Sequence, residues 1–285
     1  MQFMGYRRED GRVGVRNYVL ILPGCACASE TCRLVASEVR GTKNVIMNVG
    51  CSDVQANTDM NLRVLTGFAL NPNVFGVIVI GLGCETVGHR ELAAKIRAET
   101  SKPVVSFGIQ EIGGTVATTA AAVKAAREMV AQASEQQREP CDASDLFVAI
   151  ECGGSDATSG IASNPAVGNM SDRIVDLGGT TMMSETIEFV GAEHILAKRG
   201  ATPEIHDQII RICEDYEKHL AGVGQDCRTG QPTTGNKAGG LSTIEEKSLG
   251  CIHKGGTRPV VEVLQEAARP TKKGALIMDT PGYDI

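Results

Sequence analysis

The sequence predicts an α/β fold of Rossmann-like type, with mostly parallel sheets, helices on both sheet faces, and two lobes. Three observations lead there. Short apolar runs rich in β-branched residues alternate with longer stretches at helical spacing. Those runs are near-continuously apolar, so both faces of each strand are expected to be covered. Glycine is abundant, 33 of 285 residues, while aromatics are 4% with no tryptophan. That balance suits an enzyme whose tight loops bring backbone close to a small polar ligand, and it disfavours a stacking surface for bases or sugar rings.

The predicted strands run in order through residues 18–23 (YVLILP), 44–49 (NVIMNV), 75–80 (FGVIVI) and 103–106 (PVVS). They continue through 146–151 (LFVAIE), 180–184 (TTMMS) and 275–279 (ALIMD). Helical spacing fills residues 30–40, 61–70, 90–100, 116–136, 203–220 and 258–268. Around residues 136–144 an alanine-rich helix gives way to polar residues and a proline, which divides the chain into a first lobe, 1–140, and a second, 141–285. Residues 222–240 are rich in glycine and threonine and read as one long irregular loop, a feature that is usually functional.

Composition excludes several classes. A chain of 285 residues, 42% apolar and 22% charged, can bury a sizeable core and is ordinary for a soluble protein. No apolar run reaches the ~18 residues a membrane helix needs, and the N-terminus lacks the apolar stretch of a signal peptide. The expectation is therefore a cytoplasmic protein without a membrane partner. Net charge is −6 with no basic block, which argues against nucleic acid as a partner. The 10 cysteines are then expected to be reduced, serving as buried filler, metal ligands or reactive thiols.

Parallel sheets bind ligands beyond the carboxyl ends of their strands. There this sequence places Gly24-Cys25-Ala26-Cys27, Gly50-Cys51-Ser52-Asp53, Gly81-Leu82-Gly83-Cys84-Glu85 and Cys152-Gly153-Gly154-Ser155-Asp156, then Ser184-Glu185 and Asp279-Thr280-Pro281-Gly282. Cys25, Cys51, Cys84 and Cys152 are thus candidate ligands for a soft metal. Iron, or an iron–sulfur cluster with one iron open to substrate, suits thiolates beside carboxylates. The competing reading is cysteine as a small buried hydrophobe.

After the fifth strand, Gly153, Gly154, Ser155 and Asp156 form a surface of accessible backbone and hydroxyls that would hold a polyhydroxy carboxylate, ahead of a helix expected near Ala166. A turn with a helix cap is the plainer alternative. Asn236 and Lys237 lie on a second such surface. Lys247 and Lys254 could neutralise a substrate carboxylate or act as a base if desolvated; as solvated surface lysines they would do neither. The five histidines lack metal-ligand spacing, and there is no phosphate-binding loop and no nucleophile elbow.

Together these residues resemble the altronate/galactarate dehydratase family, which also contains the large subunit of sulfolactate sulfo-lyase. The resemblance rests on GYRREDGRVGVRN at 5–17, VIGLGCE at 79–85, ECGGSDATSGIASNP at 151–165, GGTTMMSETIEFVGAE at 178–193, GNKAGGLSTIEEKSLGC at 235–251 and MDTPG at 278–282. It implies a lyase that dehydrates a sugar acid to a 2-keto-3-deoxy acid with iron or another divalent metal. The proton beside a carboxylate is taken and a hydroxyl leaves the next carbon. The positions it marks are Lys247, Lys254, Glu185 and Glu85 for catalysis, with Cys25, Cys51, Cys84 and Cys152 for metal. Gly153, Gly154, Ser155, Asp156, Asn236 and Lys237 are marked for substrate. The first lobe resembles the family's second domain, and the second lobe its catalytic domain. Met1 stands four residues before GYRR, which resembles a split system with a separate small β-rich subunit, and the second lobe is expected to be incomplete at Ile285. A homodimer is implied. Two other readings stand beside dehydration: sulfite release as in sulfolactate sulfo-lyase, and a non-catalytic metal-binding remnant.

Overall fold

The structure, a computed structural model, describes residues 1–51 and 54–281. Ser52, Asp53 and Gly282, which belong to the strand-end motifs, lie outside the described residues. The described chain divides into two compact units, Gln2–Cys141 and Asp142–Ile285 with Met1.

The first unit begins with β1 (Gln2–Arg7) and β2 (Val13–Gly14), followed by β3 (Tyr18–Pro23), α1 (Ala26–Glu38), β4 (Thr42–Asn44), α2 (Gln55–Leu70), β5 (Val74–Gly81), α3 (His89–Glu99), β6 (Val104–Gly108), α4 (Ile109–Ile112), α5 (Thr115–Glu135) and β7 (Glu139–Asp142). Four strands form a parallel sheet in the order β4-β3-β5-β6. Alternation within the apolar runs splits the core in two. Val19, Ile21, Ile78 and Ile80 pack on α1 and α5, while Leu20, Leu22, Val77 and Val79 pack on α2 and α3. Doubly covered strands therefore need no polar face, as their composition implied. A separate three-stranded sheet is ordered β2-β1-β7, with β1 and β2 antiparallel.

The arginines of the GYRREDGR motif work structurally in this unit. Arg8 Nε donates to the Pro72 carbonyl at 2.7 Å and Arg12 Nη2 to that of Leu70 at 2.8 Å. Lys102 Nζ donates to Ala69 and Asn71 at 3.0 and 2.6 Å. Three basic side chains thus gather on the carbonyl end of α2, where the helix dipole is negative.

The second unit runs through β8 (Phe147–Ile150), α6 (Ser163–Asp176), β9 (Thr180–Met183), α7 (Glu193–Leu196), α8 (Pro203–Gly222), α9 (Cys227–Gly230), α10 (Thr234–Ala238), α11 (Ile244–Cys251), β10 (Val260–Gln265) and β11 (Ala275–Asp279). Its sheet is also parallel, ordered β10-β11-β9-β8. Ile150, Met183, Val260 and Ile277 bury one face with Phe189 and with Ile209, Cys213 and Tyr216 of α8. α8 carries a Thr202 cap and Pro203 in its first turn, and its apolar residues recur at helical spacing.

Several sequence expectations change. Residues 258–268 are not a helix: Val260–Gln265 is edge strand β10, because VVEVLQ is rich in β-branched residues and pairs with β11 from Val260 to Gln265. The strand expected at 44–49 stops at Asn44. The irregular 222–240 segment contains α9 and α10, each capped by a side chain, Asp226 and Thr233. The helix expected near Ala166 starts at Ser163.

α6 approaches the turn at Ile252–Gly255 through Gly168, where a Cβ would collide with the His253 carbonyl oxygen and crowd Gly256 N at 3.1 Å. These are backbone atoms and cannot move aside cheaply. Gly168→Ala is expected to lower the thermal midpoint by several degrees, measured by scanning calorimetry; an unchanged midpoint would show that the contact is slack.

Candidate active site

Three strand ends of the second unit meet at the carboxyl edge of its sheet. β8 runs into Cys152, β9 into Glu185, and β11 into Thr280. The Cys152 N–H donates to Glu185 Oε2 at 2.8 Å, and the Glu185 N–H donates to Thr280 Oγ1 at 2.6 Å. Glu185 has φ 69° and ψ 68°, a left-handed conformation that a glutamate seldom adopts.

A single 3₁₀ turn, Thr186–Glu188, then carries the chain inward. Glu188 is 4% exposed, and its carboxylate lies between two lysines. Lys254 Nζ donates to Oε2 at 2.6 Å, and Lys247 Nζ lies 3.4 Å from Oε1. Lys254 also sits 3.6 Å from Glu185 Oε2, and Lys247 donates to Gln231 Oε1 at 3.0 Å. Position is set from behind as well: Ser171 Oγ, fully buried on α6, donates to the Lys254 carbonyl at 2.9 Å.

Burial alone would raise the Glu188 carboxyl, but the Lys254 and Lys247 ammoniums and the Cys251 thiol outweigh it and hold it below the ordinary carboxylate range. Burial likewise works against the Lys254 charge, and Glu188 reverses that, so the ammonium titrates above its usual value. Burial pushes the Cys152 thiol up; Ser155, at 3.5 Å from its sulfur, partly opposes this, and Glu188 adds to it. Burial also raises the Cys251 thiol, and the neighbouring Glu188 raises it further.

Cys152, Glu185 and Glu188 each offer one ligand atom within 4.8 Å of the others, a set that could hold a metal ion. A thiolate with two carboxylates is a reasonable donor set for iron or zinc. Both oxygens of Glu188 already face ammoniums, so an ion would share that carboxylate with Lys254.

Beside this network a cleft of about 260 Å³ is lined by Ser155, Ser159, Asn164, Glu246, Lys247 and His253, among others. Its rim is the loop after β8. Gly153 and Gly154 have open space where a side chain would stand. Asp156 is exposed and turned inward on its own loop: Oδ1 accepts from Thr158 N, Thr158 Oγ1, Ser159 N and Ser159 Oγ at 2.7–3.1 Å. These bonds hold its carboxyl below the ordinary range. Asn236 closes a capping box with Thr233 and donates to the Ser155 carbonyl at 2.9 Å, tying the two loops together. Lys237 is exposed.

Cys25, Cys51, Cys84 and Glu85 belong to the first unit, at the carboxyl edge of its sheet. Backbone bonds from Ala26 N to Val49 O (3.0 Å) and Thr86 N to Gly50 O (2.9 Å) bring those three loops together. Cys25 is buried and its thiol is raised by that burial, while Cys51 and Cys84 are exposed. Glu85 Oε2 accepts from Leu82 N at 3.1 Å and Gly83 N at 2.5 Å, closing the GLGCE turn. Among the described residues, Cys152 is the one of the four cysteines that falls in a group of three metal-ligating side chains.

Sequence reasoning missed Glu188, Gln231 and Thr186, and named Thr280 only within a strand-end motif. Glu188 had a legible signal, since Glu185 and Glu188 are three residues apart just past a strand end.

The chain is a member of the D-galactarate/altronate dehydratase family. Residues 5–134 match the second domain of D-galactarate dehydratase/altronate hydrolase, and residues 143–285 match the C-terminal domain of D-galactarate/altronate dehydratase. It is 41% identical to the (2R)-sulfolactate sulfo-lyase subunit beta of Chromohalobacter salexigens over 98% of this chain and 71% of that protein. It is 34% identical to the altronate dehydratase of Bacillus subtilis and 35% identical to the galactarate dehydratase (L-threo-forming) of Escherichia coli. Each of those alignments covers 99% of this chain and 58% of the relative, so the chain spans little more than half the length of either dehydratase.

The ion pair ties part of the stability to pH at both ends of the range. Glu188 has a depressed folded pKa, so its contribution is fully present above the unfolded value near 4.5 and is lost as pH falls through the folded value. Lys254 has a raised one, so its contribution is full below 10.5 and is lost as pH rises through the folded value. Glu188→Gln removes the short partner of a buried ammonium and is expected to destabilise by about 3–5 kcal/mol. Urea unfolding across pH checks this; equal stability of the variant at pH 7 would contradict it.

Proposed function

We propose that this protein is a metal-dependent lyase that dehydrates a sugar acid of the altronate or galactarate type to a 2-keto-3-deoxy acid. The observation that carries this reading is the buried Glu185–Lys254–Glu188–Lys247 network at a sheet edge beside a polar cleft. The elimination removes a weakly acidic proton next to a carboxylate, so it needs a base together with fixed positive charge for the enolate-like intermediate.

Lys254 stays protonated between its two carboxylates and therefore supplies the charge. Glu185, the more exposed carboxylate of the network, takes the proton from the carbon beside the substrate carboxylate. The freed electron pair forms the carbon–carbon double bond as the hydroxyl of the next carbon leaves as water with the proton returned by Glu185, and the resulting enol tautomerises to the keto acid. Lys247 holds the substrate carboxylate at the cleft. Gly153, Gly154, Ser155 and Asn236 present backbone and polar groups to the hydroxyls, with Asp156 keeping the loop in shape and Lys237 at the rim.

Cys152, Glu185 and Glu188 are the residues we assign to a divalent metal, with iron as the reading. When bound, it supplies Lewis-acid charge at the reacting oxygens. Cys25, Cys51 and Cys84 of the first unit carry the alternative form of the iron reading, an iron–sulfur cluster, with Glu85 beside them as a further proton-transfer group. We place the protein in the cytoplasm as a homodimer, with a separate small β-rich subunit as partner.

A second reading, expulsion of sulfite from a 3-sulfo-2-hydroxy acid, is supported by the 41% identity to a sulfolactate sulfo-lyase subunit, against 34–35% for the two dehydratases. Product analysis on oxygen-free protein separates the two: a 2-keto-3-deoxy acid favours dehydration and sulfite the alternative. Inactivity on every hydroxy acid despite full metal occupancy would leave a non-catalytic metal-binding protein.

Glu185→Gln is expected to lower kcat by about 10²–10⁴-fold, the usual worth of a general base. Cys152→Ala is expected to lower iron per chain, whereas Cys213→Ala, in the α8 core, leaves it unchanged. Quantifying iron and acid-labile sulfide in the three proteins tests the assignment, and equal iron in all of them would sink it.

A further inference from the structure

The geometry points to Thr280 and Thr186 as positioning residues that hold Glu185 in its left-handed conformation. This inference rests on the reading of Glu185 as the base. The bonds form a relay that starts away from the network. Thr186 Oγ1 donates to Asp279 Oδ1 at 2.8 Å, and the same oxygen accepts from Thr280 N at 3.0 Å. Thr280 Oγ1 in turn accepts from Glu185 N at 2.6 Å. Thr186 is fully buried, so its hydroxyl has no access to water and its orientation is set by Asp279 and Thr280.

The conformation matters because it decides where the side chain goes. A glutamate at φ 69° persists only where its surroundings over-determine it. From that backbone the Glu185 carboxylate reaches both the Cys152 N–H at 2.8 Å and the Lys254 ammonium at 3.6 Å. In a relaxed extended or right-handed conformation the side chain would leave from a different face of the chain and lose that aim. The MDT segment at the end of β11, which the sequence marks only as a strand-end motif, thereby gains a specific positioning role. It contributes no side chain to the buried charge network; it clamps the backbone of the neighbouring strand end.

The test uses the full chain with Thr280→Val, which keeps the shape and removes the acceptor, and with Thr280→Ser, which keeps the hydroxyl. On the sugar acid turned over by the wild type, T280V is expected to lose on the order of 100-fold in kcat per folded chain, the effect of a base misplaced by about 1 Å. KM should stay within about twofold, because the relay does not touch the cleft, and T280S should recover most of kcat. Thr186→Val is expected to reproduce T280V, since it breaks the relay one bond earlier.

Amide exchange followed by mass spectrometry on peptides covering residues 183–188 gives a readout that needs no substrate. Exchange at Glu185 should be faster in T280V and restored in T280S. Wild-type inactivity on all hydroxy acids would defeat the functional reading while leaving the exchange result to decide the clamp. Wild-type kcat and wild-type exchange in T280V would overturn the clamp itself. If T280V fails to fold, Thr280→Ala, which inserts no bulk, is judged by the same outcomes.

Discussion

The carboxylate of Glu188 lies buried between the ammoniums of Lys254 and Lys247, and the second unit's sheet edge is arranged around that fact. A lone carboxylate at this depth would be protonated or expelled. Here each oxygen faces a cation, at 2.6 Å for Lys254 and 3.4 Å for Lys247. Satisfying both oxygens draws in the 3₁₀ turn after β9, helix α11 and the turn that follows it. Gln231, at the end of α9, joins through Lys247. These segments are far apart in sequence, and the charge requirement fixes them in one place.

The same arrangement divides the chemical labour. Two carboxylates stabilise the Lys254 charge, so under the proposed reaction it would act as a fixed positive group in a low-dielectric setting, where such charge is most effective. Glu185 is the more exposed of the two carboxylates, 12% against 4% for Glu188, and is anchored by a backbone N–H as well as by Lys254. A metal on Cys152, Glu185 and Glu188 would enter a site that already balances two carboxylates with two ammoniums. Its binding would be coupled to the Cys152 proton, since burial raises the thiol and a ligating sulfur must ionise.

Motifs that look chemical are not always so. The arginines of GYRREDGR bind helix carbonyls and stabilise the first unit. Asp156 spends its carboxylate on Thr158 and Ser159, so it shapes the rim of the cleft. Asn236 is both cap and tether. The reverse also holds: Glu188, Thr186 and Thr280 looked like ordinary residues of a strand-end segment and turn out to build the network and its support.

Local sequence was enough for the α/β class, because near-continuous apolar strands can be stable only when helices cover both faces, and the alternation of Val19 and Ile21 against Leu20 and Leu22 carries that requirement. Strand ends at Cys152 and Glu185 were legible for the same reason, since parallel sheets deliver ligand-facing residues at their carboxyl edges. Lys247 and Lys254 could be named as candidates but not separated from surface lysines, because burial is not written in the identity of a lysine. Residues 258–268 misled because charges around a β-branched run imitate helical spacing until a neighbouring strand is present to pair with it. Only the tertiary structure could decide that Glu188 stands between two lysines contributed from some 60 residues downstream, or that Thr280 holds Glu185 from 95 residues away. Electrostatic and hydrogen-bond partnerships at that separation depend on how the strands order in the sheet, and no local pattern specifies that order.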